Sequence, residues 1–193
     1  MIVIWIFVCY LLGSIPFGLI ISKTWNIDIR KHGSGNIGAT NVLRILGPLP
    51  ATLVFGLDFL KGALAIVIGQ LVSGDPAVVI LLGFAAVIGH MYSIFLGGKG
   101  GKGAATGLGM LAGLAPEIFI ISAVFAGVVI YASRYVSLAS IFTPWLVVTL
   151  MMIFGKPLPY ILVTLFVAVF ILVKHIPNIK RLLAGKESQI GGK

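Results

Sequence analysis

The residues best suited to chemistry lie in one loop, residues 97–103, which reads Gly-Gly-Lys-Gly-Gly-Lys-Gly. Glycine lets backbone N–H groups turn toward a ligand without a Cβ in the way, and lysine adds a positive charge. The alternative is a flexible basic loop that touches lipid headgroups. We interpret the loop as a phosphate site, and the predicted substrate-binding residues here are Gly98, Gly100, Gly101, Lys102 and Gly103.

A second polar segment, residues 23–49, is rich in Gly, Asn and basic residues. Ser34 is a predicted helix N-cap, and helix N-termini attract anions. If a helix begins near residue 35, then Asn36, Thr40 and Arg44 share one face at i, i+4 and i+8. The alternative is an interfacial amphipathic helix without a ligand. Anchoring by an apolar face does not require Asn36, Thr40 and Asn41 together, so we predict that these three bind substrate.

Two charges occur inside an otherwise apolar run, Asp58 and Lys61, three residues apart. Charges within a membrane are costly and usually functional, so a catalytic pair is one interpretation. We favour a structural ion pair, because each charge neutralises the other and neither stays poised for proton transfer. His90 lies beyond the next apolar run, and we predict a hydrogen-bonded packing residue there rather than a base.

The C-terminal tail carries His175, Asn178 and Arg181 at i, i+3 and i+6, roughly one helical face. We predict His175 and Asn178 as site residues and Glu187 as a structural partner of the nearby bases. The alternative is that the basic residues of the tail bind lipid headgroups.

The elements that position these residues are apolar, since 59% of the 193 residues are hydrophobic and 10% are charged. Soluble domains are roughly 25% charged, so the composition indicates an integral membrane protein. No polar stretch is long enough for a soluble domain, and we predict one membrane domain over residues 1–193. The residue pair Pro116-Glu117 is a helix start signal that divides the run at 104–133. The expected spans are residues 2–22, about 50–73, about 76–92, two within 104–133, 135–154 and 157–173.

The basic residues predict the orientation, because cytoplasmic loops carry an excess of Lys and Arg. With seven helices and the N-terminus outside, one face receives all of the 14 Lys and Arg residues except Lys61 and Lys156. That face includes Lys193 and the predicted short interfacial helix after the first span. The C-terminus and any chemistry are therefore cytoplasmic. Bases confined to short loops argue against nucleic acid, and no cluster suited to zinc occurs, so no metal is expected.

Taken together, these motifs resemble those of the bacterial acyl-phosphate:glycerol-3-phosphate acyltransferases, the PlsY family, along nearly the whole chain. The resemblance rests on ordered motifs at residues 13–18, 33–44, 58–62, 89–91, 100–103, 134–140 and 175–185. It implies seven helices and an active site on the cytoplasmic side of the bacterial inner membrane. It also implies transfer of a fatty acyl group from acyl phosphate to the sn-1 hydroxyl of glycerol 3-phosphate, giving lysophosphatidic acid and phosphate.

The resemblance implies residue roles as well. Ser34 and Arg44 correspond to a serine and an arginine that matter for catalysis, residues 100–103 to glycerol-phosphate binding, and His175 and Asn178 to the functional His and Asn of the tail. An acyl phosphate is already activated and no protein base is evident. We therefore expect direct attack by the glycerol hydroxyl, with a substrate phosphate oxygen accepting the proton and Ser34 donating a hydrogen bond.

The expected partners are glycerol 3-phosphate, acyl phosphate, membrane lipids and the soluble enzyme that makes acyl phosphate from acyl carrier protein; no cofactor is expected. We expect the acyl chain between helices, near the pairs Gly103/Gly107 and Gly109/Gly113. The alternatives are a membrane transporter or channel for small phosphorylated anions, which the charges at 58 and 61 would suit, and a non-catalytic lipid-binding scaffold. The crowding of basic and amide groups at one face argues against transport.

Overall fold

The computed structural model describes residues 1–190, and the regular secondary structure of these residues is entirely helical. Lys193, counted above on the cytoplasmic face, lies outside the described residues. Short 3-10 turns occur at Ile29–Lys31 and Ile94–Leu96. The α-helices are α1 (Ile2–Ser14), α2 (Phe17–Thr24), α3 (Ala39–Leu46), α4 (Pro48–Val72), α5 (Pro76–Met91), α6 (Ala104–Leu114), α7 (Pro116–Ser133), α8 (Val136–Ile153), α9 (Leu158–Lys174) and α10 (Ile176–Leu183).

Within residues 1–190, the helical stretches long and apolar enough to cross a membrane are Ile2–Thr24, Pro48–Val72, Pro76–Leu96, Pro116–Ser133 and Val136–Ile153. Helices α9 and α10, bent by 51°, make a sixth if they count as one span. Helix α6 has 11 residues, which at about 1.5 Å each covers roughly 16 Å of a hydrocarbon core of about 30 Å. The predicted all-helical membrane class and the short helix after the first span are confirmed, whereas the count of seven spans and the orientation stay predictions.

The helices form two compact units, Met1–Leu114 and Ala115–Lys193. The boundary falls where the sequence predicts a helix break, since α6 ends at Leu114 and α7 begins with Pro116 in its first turn. Proline is favoured there because its missing N–H would have no partner within the helix. That one functional domain covers residues 1–193 stays a prediction.

In the first unit, α1 and α2 are separated by a break at Ile15 and Pro16. Helix α1 ends at Ser14, so its last carbonyl groups have no donor within the helix. Side chains from later in the chain donate at this break: Ser93 Oγ donates to the Ser14 carbonyl over 2.6 Å, and Lys61 Nζ donates to the Ile15 carbonyl over 3.1 Å. The break therefore ties α1 to α4 and to the end of α5.

Helix α4 packs against α6 at glycines, which let two backbones approach closely. A methyl group on Gly62 would overlap the Thr106 carbonyl oxygen, and one on Gly109 would overlap the Phe59 carbonyl oxygen. Gly113 lies against the Ile66 side chain in the same way. The expectation that Gly109 and Gly113 open a groove for an acyl chain is therefore wrong, because α4 already fills that space.

In the second unit, α7 packs against α8, and α8 against α9. Arg134 ends α7 in a left-handed conformation, with φ of 62°. Its carbonyl accepts a 2.8 Å hydrogen bond from the Ile190 amide, which holds the tail at the turn between α7 and α8. Glu117 at the start of α7 forms an ion pair with Lys156, which precedes α9.

Candidate active site

The polar segment before α3 is organised by the side-chain amide of Asn41, a residue that is 2% exposed. Asn41 Oδ1 accepts the Ser34 backbone N–H over 2.9 Å, and Asn41 Nδ2 donates to the carbonyls of His32 and Asn36 over 3.0 and 2.9 Å. Arg44 reaches the same oxygen from one helical turn away, at 3.4 Å. Asn41 thus acts as an internal brace between Ser34 and Arg44, and its predicted direct contact with substrate stays a prediction.

The helix in this segment begins later than expected. Helix α3 begins at Ala39 with Gly38 as its N-cap, so the predicted N-cap role of Ser34 is wrong. Residues 33 and 35 are glycines with φ of 59° and 71°, and these left-handed positions turn the chain around Ser34. Asn36 also lies outside the helix, where its Oδ1 accepts the Gly38 N–H over 2.7 Å.

Of the three residues predicted to share one helical face, Thr40 and Arg44 do so on α3, at i and i+4, whereas Asn36 does not. Both side chains are exposed, as is that of Ser34. The segment therefore presents the Ser34 hydroxyl and the Arg44 guanidinium at its surface. The buried Asn41 amide contacts both residues. A hydroxyl can donate one hydrogen bond and a guanidinium can bind a phosphate in bidentate fashion.

The glycine loop has a defined internal hydrogen-bond pattern. The backbone N–H groups of Gly98, Gly100 and Gly101 donate to the carbonyls of Ser93, Met91 and His90 over 2.8, 3.2 and 2.9 Å. These three amides are engaged within the protein, so they shape the loop instead of pointing at a ligand. The part of these glycines in substrate binding stays a prediction.

The end of the loop joins the start of α6. Lys102 is half-buried, Gly103 has φ of 85°, and the Gly103 carbonyl accepts the Gly107 N–H over 2.8 Å as the first helical bond. The first amides of a helix have no partner within it, and the helix dipole adds partial positive charge there. Lys102 thus precedes a helix N-terminus directly, an arrangement that favours an anion.

Behind this loop, α4 and α5 hold a buried cluster of Asp58, Lys61 and His90. Lys61 Nζ lies 2.7 Å from Asp58 Oδ1 and 2.9 Å from His90 Nδ1, and the three side chains are nearly inaccessible. The ion pair expected from the spacing of Asp58 and Lys61 is present. The contact of His90 with this ion pair was not predicted. A buried lysine needs an acceptor for each of its three N–H groups, and that requirement was the signal in the sequence that a further polar partner is present.

In the second unit, the tail forms a separate polar cluster. Asn178 Nδ2 donates to Glu187 Oε1, and Arg181 Nε donates to Glu187 Oε2, both over 2.6 Å. Burial alone would raise the pKa of the Glu187 carboxyl, but the hydrogen bonds from Asn178 and Arg181 outweigh it and lower the pKa below the ordinary value. The pairing of Glu187 with a base of the tail is therefore present.

His175 lies at the bend between α9 and α10 and is 4% exposed. Its Nδ1 is 2.7 Å from the Ile171 carbonyl, which can only accept, so Nδ1 carries the proton. In the neutral ring, Nε2 then carries the lone pair. The catalytic roles of His175 and Asn178 stay predictions.

A family model described as glycerol-3-phosphate acyltransferase matches residues 3–185. The chain is 45% identical over 186 residues to glycerol-3-phosphate acyltransferase 2 of Moorella thermoacetica, covering 95% of each protein. It is 44% identical over 192 residues to a glycerol-3-phosphate acyltransferase of Carboxydothermus hydrogenoformans, covering 99% of this chain and 97% of that protein.

Two solved structures are also similar to this chain. The crystal structure of PlsY, an integral membrane glycerol 3-phosphate acyltransferase, in its glycerol 3-phosphate form has a TM-score of 0.93 and 40% identity, covering 97% of this chain and 94% of that chain. Its lysophosphatidic acid form has a TM-score of 0.89 and 39% identity over the same shares. A family match over residues 3–185, with relatives 44% and 45% identical along nearly their whole length, shows that this protein belongs to the glycerol-3-phosphate acyltransferase family.

Proposed function

We propose that this protein transfers a fatty acyl group from an acyl phosphate to the sn-1 hydroxyl of glycerol 3-phosphate, giving lysophosphatidic acid and inorganic phosphate for phospholipid synthesis. The observation that carries the proposal is the agreement, over 97% of the chain, with a solved structure of an acyltransferase in its glycerol 3-phosphate form. The acyl phosphate donor follows from the motifs that the chain shares with the PlsY family.

The first unit offers groups suited to phosphate. Arg44 and Ser34 are exposed and held by Asn41, and Lys102 adjoins the N-terminus of α6. We infer that Lys102 and the first amides of α6 hold the phosphate of glycerol 3-phosphate, while Arg44 binds phosphate oxygens as a fork. This assigns the anion to the end of the glycine loop, because the amides of Gly98, Gly100 and Gly101 are engaged internally.

The proposed chemical step is direct. The sn-1 oxygen attacks the acyl carbon, a carbon–oxygen bond forms, the bond from the acyl carbon to the phosphate oxygen breaks, and inorganic phosphate leaves. A substrate phosphate oxygen takes the hydroxyl proton. Holding the two substrates in line can contribute about 7–11 kcal/mol to lowering the barrier, and a donor such as the Ser34 hydroxyl stabilises charge on the reacting oxygen. His175 and Asn178 are proposed as further catalytic residues.

We propose that the reacting residues face the cytoplasm in a bacterial inner membrane. The support is that, in the predicted topology, the basic loops fall on one side, as the positive-inside rule requires. An acyl phosphate would then arrive from the soluble enzyme that makes it, and the product would remain among membrane lipids.

The proposal is tested with purified protein in detergent, given acyl phosphate and glycerol 3-phosphate, by measuring phosphate release and lysophosphatidic acid. Acyl-CoA and acyl carrier protein replace acyl phosphate in parallel reactions to test the donor. Lys102→Ala is expected to abolish most activity, while Lys99→Ala, in the same loop but exposed, serves as the matched control. Uptake of glycerol 3-phosphate into vesicles without acyl transfer would instead support a transporter.

A further inference from the structure

The lysine of the buried cluster has a complete set of acceptors. Lys61 Nζ lies 2.7 Å from Asp58 Oδ1, 2.9 Å from His90 Nδ1 and 3.1 Å from the Ile15 carbonyl. An ammonium group has three N–H donors and no lone pair. Three acceptors therefore match the three donors of the ammonium group.

This arrangement determines the tautomer of His90. Because the ammonium can only donate, His90 Nδ1 must accept and therefore carries the lone pair. His90 Nδ1 thus faces the ion pair, 2.9 Å from Lys61 Nζ and 3.5 Å from Asp58 Oδ1, and in the neutral ring the proton is on Nε2. The ion pair thereby holds the imidazole in one orientation, with its Nε2 edge turned away from Lys61.

The other edge of His90 meets the glycine loop. A methyl group on Gly101 would overlap the imidazole at Nε2, and one on Gly100 would overlap the His90 carbonyl oxygen. The same carbonyl accepts the Gly101 N–H over 2.9 Å, and the Met91 carbonyl accepts the Gly100 N–H over 3.2 Å. Residues 90 and 91 thus form the surface on which the loop lies, immediately before Lys102.

We propose that His90 is a positioning residue: fixed by Asp58 and Lys61, it supports Gly100 and Gly101 and so places Lys102 for phosphate binding. The proposal rests on the proposed function in that Lys102 binds glycerol 3-phosphate. Under this proposal, Asp58 and Lys61 do more than neutralise each other. From α4, they hold the imidazole of His90 on α5 in the orientation that supports the glycine loop.

His90→Asn tests the role of Nε2 separately from that of Nδ1. The asparagine Oδ1 can replace Nδ1 as the acceptor for Lys61, while nothing replaces the Nε2 edge against Gly101. The KM for glycerol 3-phosphate is expected to rise at least about tenfold, with kcat and the KM for acyl phosphate changing less than about threefold. A general folding defect would instead lower kcat and affect both substrates. The matched control is Gly56→Ala on α4, where the added methyl group meets open space.

Gly101→Ala tests the same contact from the side of the loop. It replaces His90→Asn as the test if that variant does not fold. Alone it is expected to raise the KM for glycerol 3-phosphate, because the methyl group displaces the loop from the ring. Combined with His90→Asn, the methyl group occupies the vacated space, and the KM is expected to fall below that of either single variant. Fold-changes that simply multiply would contradict the proposal, since only contacting residues couple in this way.

Hydrogen exchange of residues 97–103 without substrate supplies a readout independent of activity. Faster exchange in His90→Asn together with the raised KM supports the proposal. Unchanged exchange, or faster exchange with an unchanged KM, overturns it. If the unaltered protein transfers no acyl group to glycerol 3-phosphate, the proposed function fails, whereas the exchange experiment still decides whether His90 supports the loop.

Discussion

Replacing Asn41 by aspartate tests most sharply how the polar segment is held. Asn41→Asp keeps the size of the side chain and the acceptor for the Ser34 N–H, but it removes the two N–H donors of the amide. Those donors serve the carbonyls of His32, Asn36 and, at 3.3 Å, Ile29. A carboxylate would instead face carbonyl oxygens, which repel it.

The size of the effect follows from these contacts. Leaving a buried acceptor without its donor costs about 1–3 kcal/mol, so losing two N–H donors costs about 2–6 kcal/mol in loop stability. Even the lower end, about 2 kcal/mol, corresponds to roughly a 30-fold loss when the active loop conformation is depopulated. We therefore expect kcat/KM for acyl transfer to fall about 30-fold or more in Asn41→Asp.

The assay is the initial rate of phosphate release in detergent, with hydrogen exchange of residues 29–41 measured on the same samples. Asn26→Asp is the matched control, because Asn26 is exposed and lies in the same polar segment. If Asn41→Asp keeps kcat/KM within about threefold of the unaltered protein, with unchanged exchange, then Asn41 does not brace the segment.

Three further outcomes are expected. Ser34→Ala should lower kcat about 100- to 1,000-fold, as expected for loss of a hydrogen-bond donor to the reacting oxygen. Mass spectrometry of the unaltered protein, quenched during turnover, should find no acylated Ser34. A covalent acyl-serine would contradict direct attack. Gly62→Ala should destabilise the protein by about 1–3 kcal/mol in thermal unfolding, because the added methyl group overlaps α6. Gly56→Ala, whose methyl group meets open space, should be neutral or slightly stabilising. Equal effects of the two substitutions would refute the close packing of α4 on α6. Because the pKa of Glu187 is lowered, its contacts stabilise the fold above the ordinary value of 4.5, and this stability is lost as the pH falls below that value. The fall in Tm between about pH 7 and about pH 4 should therefore be smaller in Glu187→Gln than in the unaltered protein. An equal fall in both proteins would show that Glu187 is not the cause.

Several local features could be predicted from sequence because they depend on residues close together in the chain. Asp58 and Lys61 lie three residues apart on one helix, so their pairing follows from helical geometry. The break at Pro116 follows from the restricted backbone of proline. In contrast, the start of α3 at Ala39 was missed, because the Asn41 amide supports a non-helical turn through Ser34 that no local propensity indicates.

The amino-acid sequence by itself determined that this is a helical membrane protein with polar segments between apolar runs, because apolar length and the placement of charge act locally. Only the tertiary structure decided which side chains from distant parts of the chain meet. His90 joins Lys61 from a residue 29 positions away, and the glycine loop uses its amides to bond to residues 90 and 91. Such contacts depend on how helices pack, and a buried ammonium accepts whichever partner that packing brings within hydrogen-bond distance.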